Sequence, residues 1–118
     1  MTYLIVLGGD AEDDIVGILE WSVNHFGSSV RDGYLALIEA VLARIADDPE
    51  LPGSRDRDDL GLGLRTVHLR TGRDEVSPAV RRIANPRHFV VYRQVDEVIE
   101  VVRLLHDAMH IPARRILE

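Results

Sequence analysis

The chain has 118 residues, 46% of them hydrophobic and 29% charged, an ordinary globular composition whose length fits one domain over residues 1–118. No apolar run approaches the ~20 residues of a membrane-spanning helix, and the absence of cysteine excludes disulfides, thiolate metal sites and cysteine nucleophiles. The net charge of −6 opposes approach to a phosphate backbone, but it is unevenly divided: residues 1–60 hold 13 Asp/Glu against 4 Arg, and residues 61–118 hold 7 against 10.

Tyr3 to Leu7 has the composition of a strand, and the segment is too short and too poor in basic residues for a signal peptide, so a cytoplasmic protein is expected. Gly8-Gly9 breaks this strand, and Asp10 is placed to cap a helix whose first turn holds Glu12, Asp13 and Asp14, where carboxylates meet the helix dipole favourably. The glycine pair has neither the lysine of a P-loop nor the spacing of a dinucleotide fingerprint, and is read as a turn. Along this helix Ala11, Ile15, Ile18, Leu19 and Phe26 mark one face, and Trp21 is expected as a core or rim anchor. Gly27 ends the helix, and Ser28 or Ser29 is placed to cap a second. In that second helix Val30, Tyr34, Leu37, Ile38, Val41, Leu42 and Ile45 repeat at spacings of three and four. The pair forms an antiparallel helical hairpin with an apolar stripe facing a sheet.

Asp47 to Asp59 is rich in turn residues and reads as a solvated loop. Leu64 to Arg70 alternates as a strand, and Thr71 to Pro86, punctuated by Gly72, Pro78 and Pro86, reads as a long irregular connection whose Arg73, Arg81 and Arg82, with Arg87 just beyond, are expected to form a positive lobe projecting from the strand ends. Two strands follow, Arg87 to Arg93 and Glu97 to Val102 onwards, joined by a short turn. Phe89 and Val91 point to one face of the first, Val90 and Tyr92 to the other. After His106-Asp107, Pro112 and the residues to Glu118 suggest a short C-terminal tail or helix. The expected fold is therefore α+β: an N-terminal strand and a helical hairpin packed on a small twisted antiparallel sheet.

Few residues carry recognisable chemistry. His106 and His110 stand four apart, as in some zinc sites, but Pro112 limits any helix there and no metal or other cofactor is expected. All the basic residues are arginine, a planar donor suited to carboxylates, so an acidic protein partner is expected ahead of nucleic acid. Cleavage of RNA through its 2′-hydroxyl is the main enzymatic alternative, because it needs proton-transfer groups and cations for the phosphorane. His68, Arg70, Tyr92, Arg93 and His106 are the candidate residues, with His106 first; each also has an ordinary reading as a sheet or core residue.

The run Trp21-Ser22-Val23, the strand Gly63-Leu64-Arg65-Thr66 and the hairpin Arg87-His88-Phe89-Val90-Val91-Tyr92-Arg93 to Leu104-Leu105-His106-Asp107 together resemble the ParE branch of the ParE/RelE toxin superfamily. That resemblance implies the toxin of a type II toxin-antitoxin system, one that poisons DNA gyrase without a catalytic residue and is neutralised by a ParD-like antitoxin in a hetero-oligomer. RelE-like members instead cut mRNA on the ribosome, and an inactive antitoxin-binding module is a third possibility. Under the resemblance, Trp21 and the arginines Arg65, Arg70, Arg93 and Arg103 are the expected antitoxin contacts.

Overall fold

The computed structural model describes residues 2–108, and the expected C-terminal tail or helix, with His110 and Pro112, lies outside them. Strand β1 (Leu4–Leu7) turns at Gly8 into helix α1 (Gly9–Phe26), and helix α2 (Ser28–Asp47) follows directly. Gly27 makes the corner between the helices at φ 91°, a backbone conformation that costs glycine little and other residues much. Neither helix has the expected side-chain cap: Gly8 and Gly27 occupy the cap positions, so Asp10 and Ser28 already lie within the first turns. The chain continues through β2 (Arg55–Asp56), β3 (Arg65–His68), a 3₁₀ helix (Leu69–Glu75), β4 (His88–Val95) and β5 (Val98–His106).

The five strands form one sheet in the order β1-β5-β4-β3-β2. All neighbours are antiparallel except β1, which runs parallel to β5 and so departs from a wholly antiparallel sheet. The β4–β5 hairpin leaves one edge of β5 open, and β1 fills it only from Val98 to Val101 before the chain turns at Gly8. Beyond that point α1 takes over, through Asp14, whose carboxylate accepts from the Leu104 backbone N–H at 3.0 Å.

One face of the sheet packs on both helices, burying Leu37, Ile38, Val41 and Ile45 of α2 against Val67, Val90, Tyr92, Ile99, Val101 and Leu104. The other face carries a smaller core in which Leu60 and Leu64 cover Val91 and Leu105. The polar connection after α2 is thus anchored rather than simply solvated, with Leu51 and Leu60 buried and the Tyr92 hydroxyl donating to the Pro49 carbonyl. The expected strand from Leu64 to Arg70 is shorter: β3 ends at His68, and Leu69, fully buried in the same core as Val67, begins the 3₁₀ helix. Within the connection that follows, Val80 and Ile83 are partly buried and Ala84 is exposed. The helical faces also differ from expectation at one end: Trp21 is 54% and Phe26 61% exposed, beside an open cleft rather than in the core.

Candidate functional site

Where β3 and β5 end and β4 begins, the chain brings together three of its five histidines with Arg70, Arg73 and Arg87. His68 closes β3, His88 opens β4, and His106 closes β5, with Asp107 in the turn beyond it. The β4–β5 ladder contains one irregularity: Val91 pairs with Arg103 but Tyr92 pairs with Val101, leaving Val102 as an extra residue. This bulge sets His106 directly opposite His88.

Asp107 organises the cluster. Its carboxylate meets His68 Nε2 at 2.9 Å and Arg87 Nε at 3.0 Å, while its backbone N–H donates to the Arg87 carbonyl at 2.7 Å. The hydrogen bond from His68, followed by that from Arg87, holds this carboxyl below the usual aspartate range. His68 Nδ1 accepts from the Arg70 N–H at 3.1 Å, and His106 Nδ1 accepts from the Ala108 N–H at 3.0 Å. A neutral imidazole whose Nδ1 accepts must carry its hydrogen on Nε2, so both rings present an N–H donor: His68 gives its own to Asp107, and that of His106 has no acceptor among the described residues.

Two hollows flank this cluster and share Asn85 and Arg87. The larger, about 610 Å³, lies between α1, α2 and the end of β5; Ile18, Trp21, Phe26, Val30 and Leu105 give it apolar walls, and His88, His106 and Arg87 stand on its lining. The smaller, about 290 Å³, is lined by His68, Arg70, Arg73, Arg87 and Asp107. The guanidinium of Arg73 is tethered to the Ala84 carbonyl at 2.6 Å, yet its buried Nε has no hydrogen-bond partner. Among the described residues, no group of three or more His, Cys, Asp or Glu side chains could hold a metal ion.

Of the five residues considered for ribonuclease chemistry, the structure brings together His68, Arg70 and His106. Tyr92 is fully buried in the main core, and Arg93 pairs with Glu100 at 3.1 Å, nearer the hairpin turn at the opposite end of β4. Of the arginines considered for antitoxin contact, Arg65 is paired with Asp56, Arg93 with Glu100, and Arg103 with Asp14 at 2.7 Å. Arg70 is exposed and, among the described residues, makes no ion pair. Trp21 stands open, stacked on His25 with ring centroids 4.3 Å apart and edge-on to Phe26 at 5.4 Å. Reasoning from sequence did not single out His88, Arg87, Asp107 or Tyr34 as site residues. The available signal was the hairpin itself, which places the first residues of β4 beside the last of β5.

The arrangement holds a cluster of N–H and guanidinium donors at one end of a sheet, next to an apolar cleft. A family model described as the ParE toxin of the type II toxin-antitoxin system parDE matches residues 5–111. No curated protein sequence matches the chain. Among solved structures, a chain in the Escherichia coli DinJ-YafQ toxin-antitoxin complex is similar at 12% identity and a TM-score of 0.56, with 92% of this chain and 96% of that one covered. A copper-bound mutant toxin from Helicobacter pylori is similar at 18% identity and a TM-score of 0.54, with 90% and 96% covered. At these identities the two structures speak to the fold alone, and they share it. With both helices, strands β2 to β5 and all but the first residue of β1 inside the matched span, the chain belongs to the ParE toxin family of type II toxin-antitoxin systems.

Proposed function

We propose that this toxin acts on RNA, cleaving a phosphodiester at the His68–Arg87–His106–Asp107 cluster, with ribosome-bound mRNA as the substrate that the RelE-like branch implies. The observation that carries this reading is the pairing of Asp107 with His68 and Arg87 beside His106, at the mouth of a cleft.

In the reaction the 2′-oxygen bonds to phosphorus and the bond from phosphorus to the 5′-oxygen breaks, leaving a 2′,3′-cyclic phosphate and a 5′-hydroxyl. The 2′-hydroxyl proton leaves to water and the 5′-oxygen takes one from water, so no net proton is consumed. The contribution of the chain is electrostatic: the Arg87 guanidinium and the His106 Nε2–H stabilise the charge that builds on the phosphorane oxygens. Asp107 holds Arg87 and His68 in place and, with its acidity increased, is a poor base. The overall charge of −6 does not prevent this, because Arg70, Arg73 and Arg87 line the smaller hollow around one carboxylate, Asp107, and Arg87 and Arg103 stand with Asp13 and Asp14 on the lining of the larger cleft.

Poisoning of DNA gyrase is the second reading, favoured by the family description and by a net charge that disfavours nucleic acid. In either case a ParD-like antitoxin is the expected partner, with the exposed Trp21 and Phe26 offering it an apolar anchor. Paired assays separate the readings. Cleavage of mRNA on programmed ribosomes that is lost in Arg87→Ala and His106→Ala supports the ribonuclease, whereas trapped gyrase–DNA cleavage with intact mRNA supports the poison.

A further inference from the structure

The Tyr34 hydroxyl makes two hydrogen bonds. It accepts from the Arg87 backbone N–H at 3.0 Å, and it lies 2.6 Å from His88 Nδ1. Among the described residues no other group is placed to take the phenolic proton, so the arrangement that satisfies every atom has the hydroxyl donating to His88 Nδ1. The opposite assignment, with an N–H on Nδ1, would leave the phenolic hydrogen without an acceptor beside a half-buried ring. His88 must then carry its hydrogen on Nε2, for which no described residue provides an acceptor.

We infer that Tyr34 is a positioning residue: it fixes His88 as a neutral Nε2–H donor on the wall of the cleft, opposite His106, where that hydrogen binds a phosphate oxygen of the bound RNA. The inference rests on the RNA reading given above and adds a third oriented histidine to it. The result is a consistent design in which His68, His88 and His106 each have Nδ1 occupied, by the Arg70 N–H, the Tyr34 hydroxyl and the Ala108 N–H respectively. His25, away from the cluster, shows the contrast: its Nδ1 lies 2.9 Å from the Trp21 carbonyl, and there Nδ1 must be the donor.

The electrostatic surroundings agree. Burial, with His106 next in weight, pushes His88 down to about 4, so the ring stays neutral across the physiological range. Burial likewise pushes Tyr34 up to about 12, which keeps its proton in place. The charged and titratable groups facing His88 are Asp14 of α1, Tyr34 of α2, His68 of β3, His106 of β5 and Asp107 in the turn beyond β5, with Arg87 its chain neighbour. The carboxylates Asp14 and Asp107 favour its protonation and are outweighed.

The test is nitrogen NMR of the full-length toxin labelled at histidine, with and without an oligoribonucleotide whose scissile 2′-hydroxyl is replaced by hydrogen so that it binds uncut. A pyrrole-like Nε2 and a pyridine-like Nδ1 for His88 across pH 5–8, with a change at Nε2 on adding the oligonucleotide, is the expected result. Tyr34→Phe should release the tautomer preference and lower kcat/KM about tenfold, in part through a raised KM, as expected when a contact made in the bound complex and kept in the transition state is weakened. His88→Gln, which keeps an N–H at the equivalent reach, should retain most of the activity, and His88→Leu should lose it. These two variants carry the test should Tyr34→Phe fail to fold. An Nδ1–H tautomer in the wild type, an Nε2 signal indifferent to the oligonucleotide, or equal activity of the Gln and Leu variants would overturn the inference. Cleavage with an unresponsive His88 refutes the inference alone; a responsive His88 without cleavage refutes the ribonuclease reading and leaves His88 as a phosphate contact.

Discussion

His88 stands directly across the β4–β5 ladder from His106, with ring centroids 5.1 Å apart and planes at 82°. Two imidazoles so close cannot both be charged cheaply, and the more buried one remains neutral. Its folded value of about 4 lies below the ordinary 6.5, so above pH 6.5 it has no effect on folding. As pH falls from 6.5 towards 4 the unfolded chain takes up a proton that the folded chain refuses, and stability falls. After allowance for solvent screening of a partly exposed ring, the loss through this group is about 2 kcal/mol. Urea unfolding at pH 7, 5.5 and 4 should show this decline in the wild type and a flatter profile in His88→Gln; parallel profiles would remove His88 as the cause. Asp107, whose value is depressed, adds a separate loss only as pH falls below the unfolded carboxylate range, about 3.9.

That pairing also marks how far the sequence could be read. The hairpin and the alternation of Phe89 and Val91 with Val90 and Tyr92 were legible, because period-two burial leaves a direct trace, whereas the turn, expected from Gln94 to Asp96, is the tighter Asp96-Glu97. Counting back from Val95↔Val98 along an unbroken ladder would place Leu105, not His106, across from His88. The bulge at Val102 makes the difference, and its trace was present: strict alternation after Ile99 and Val101 would have buried Arg103. With the bulge, Leu104 joins the main core and Arg103 pairs with Asp14. The exposure of Trp21 and Phe26 was not legible, since helical periodicity identifies a stripe but not where the sheet beneath it stops. Nor could local patterning reveal that Asp107 joins residues from β3 and from the segment before β4, contacts 39 and 20 positions away in the chain.

Asp14 should prove structural rather than merely favourable to the helix dipole. It takes two hydrogen bonds from Arg103 and a third from the Leu104 backbone, where β5 has lost its strand neighbour. Removing it in Asp14→Ala leaves a partly buried guanidinium and a strand N–H without an acceptor, at a cost of about 1–3 kcal/mol. Asp14→Asn, which retains one acceptor oxygen, should lose less. Chemical denaturation would decide the matter, and equal stability of the alanine variant and the wild type would mean that water replaces the carboxylate.

Two glycines in the helices should respond in opposite directions. A methyl at Gly33 would lie 2.2 Å from the Arg81 carbonyl oxygen, a backbone atom that can yield only if the connection leading to Arg87 moves; Gly33→Ala should therefore cost about 1–3 kcal/mol. Gly17, in mid-helix with nothing within 4 Å of the place an added methyl would occupy, should instead gain about 0.5–1 kcal/mol as alanine. Thermal melts of both variants are sufficient, and a stable Gly33→Ala protein would show that the connection does not lean on α2 as closely as its carbonyl position requires.

Trp21 offers the clearest separation of binding from folding. Its indole is 54% exposed and rests on His25 and the edge of Phe26, so truncation removes little buried area. Trp21→Ala should therefore change stability by less than about 1 kcal/mol, as usual for exposed positions. An antitoxin that seats an apolar side chain in the cleft would use the same indole as a wall, and exposed tryptophans beside apolar clefts are frequent binding hot spots, worth about 2 kcal/mol or more. That corresponds to a loss of affinity of about thirtyfold. Calorimetry of the purified toxin against its cognate antitoxin, with Tyr92→Phe as a control in the buried core, should show the loss in Trp21→Ala alone. Unchanged antitoxin affinity in Trp21→Ala would place the contact elsewhere and return attention to Arg70, the exposed arginine that faces the smaller hollow.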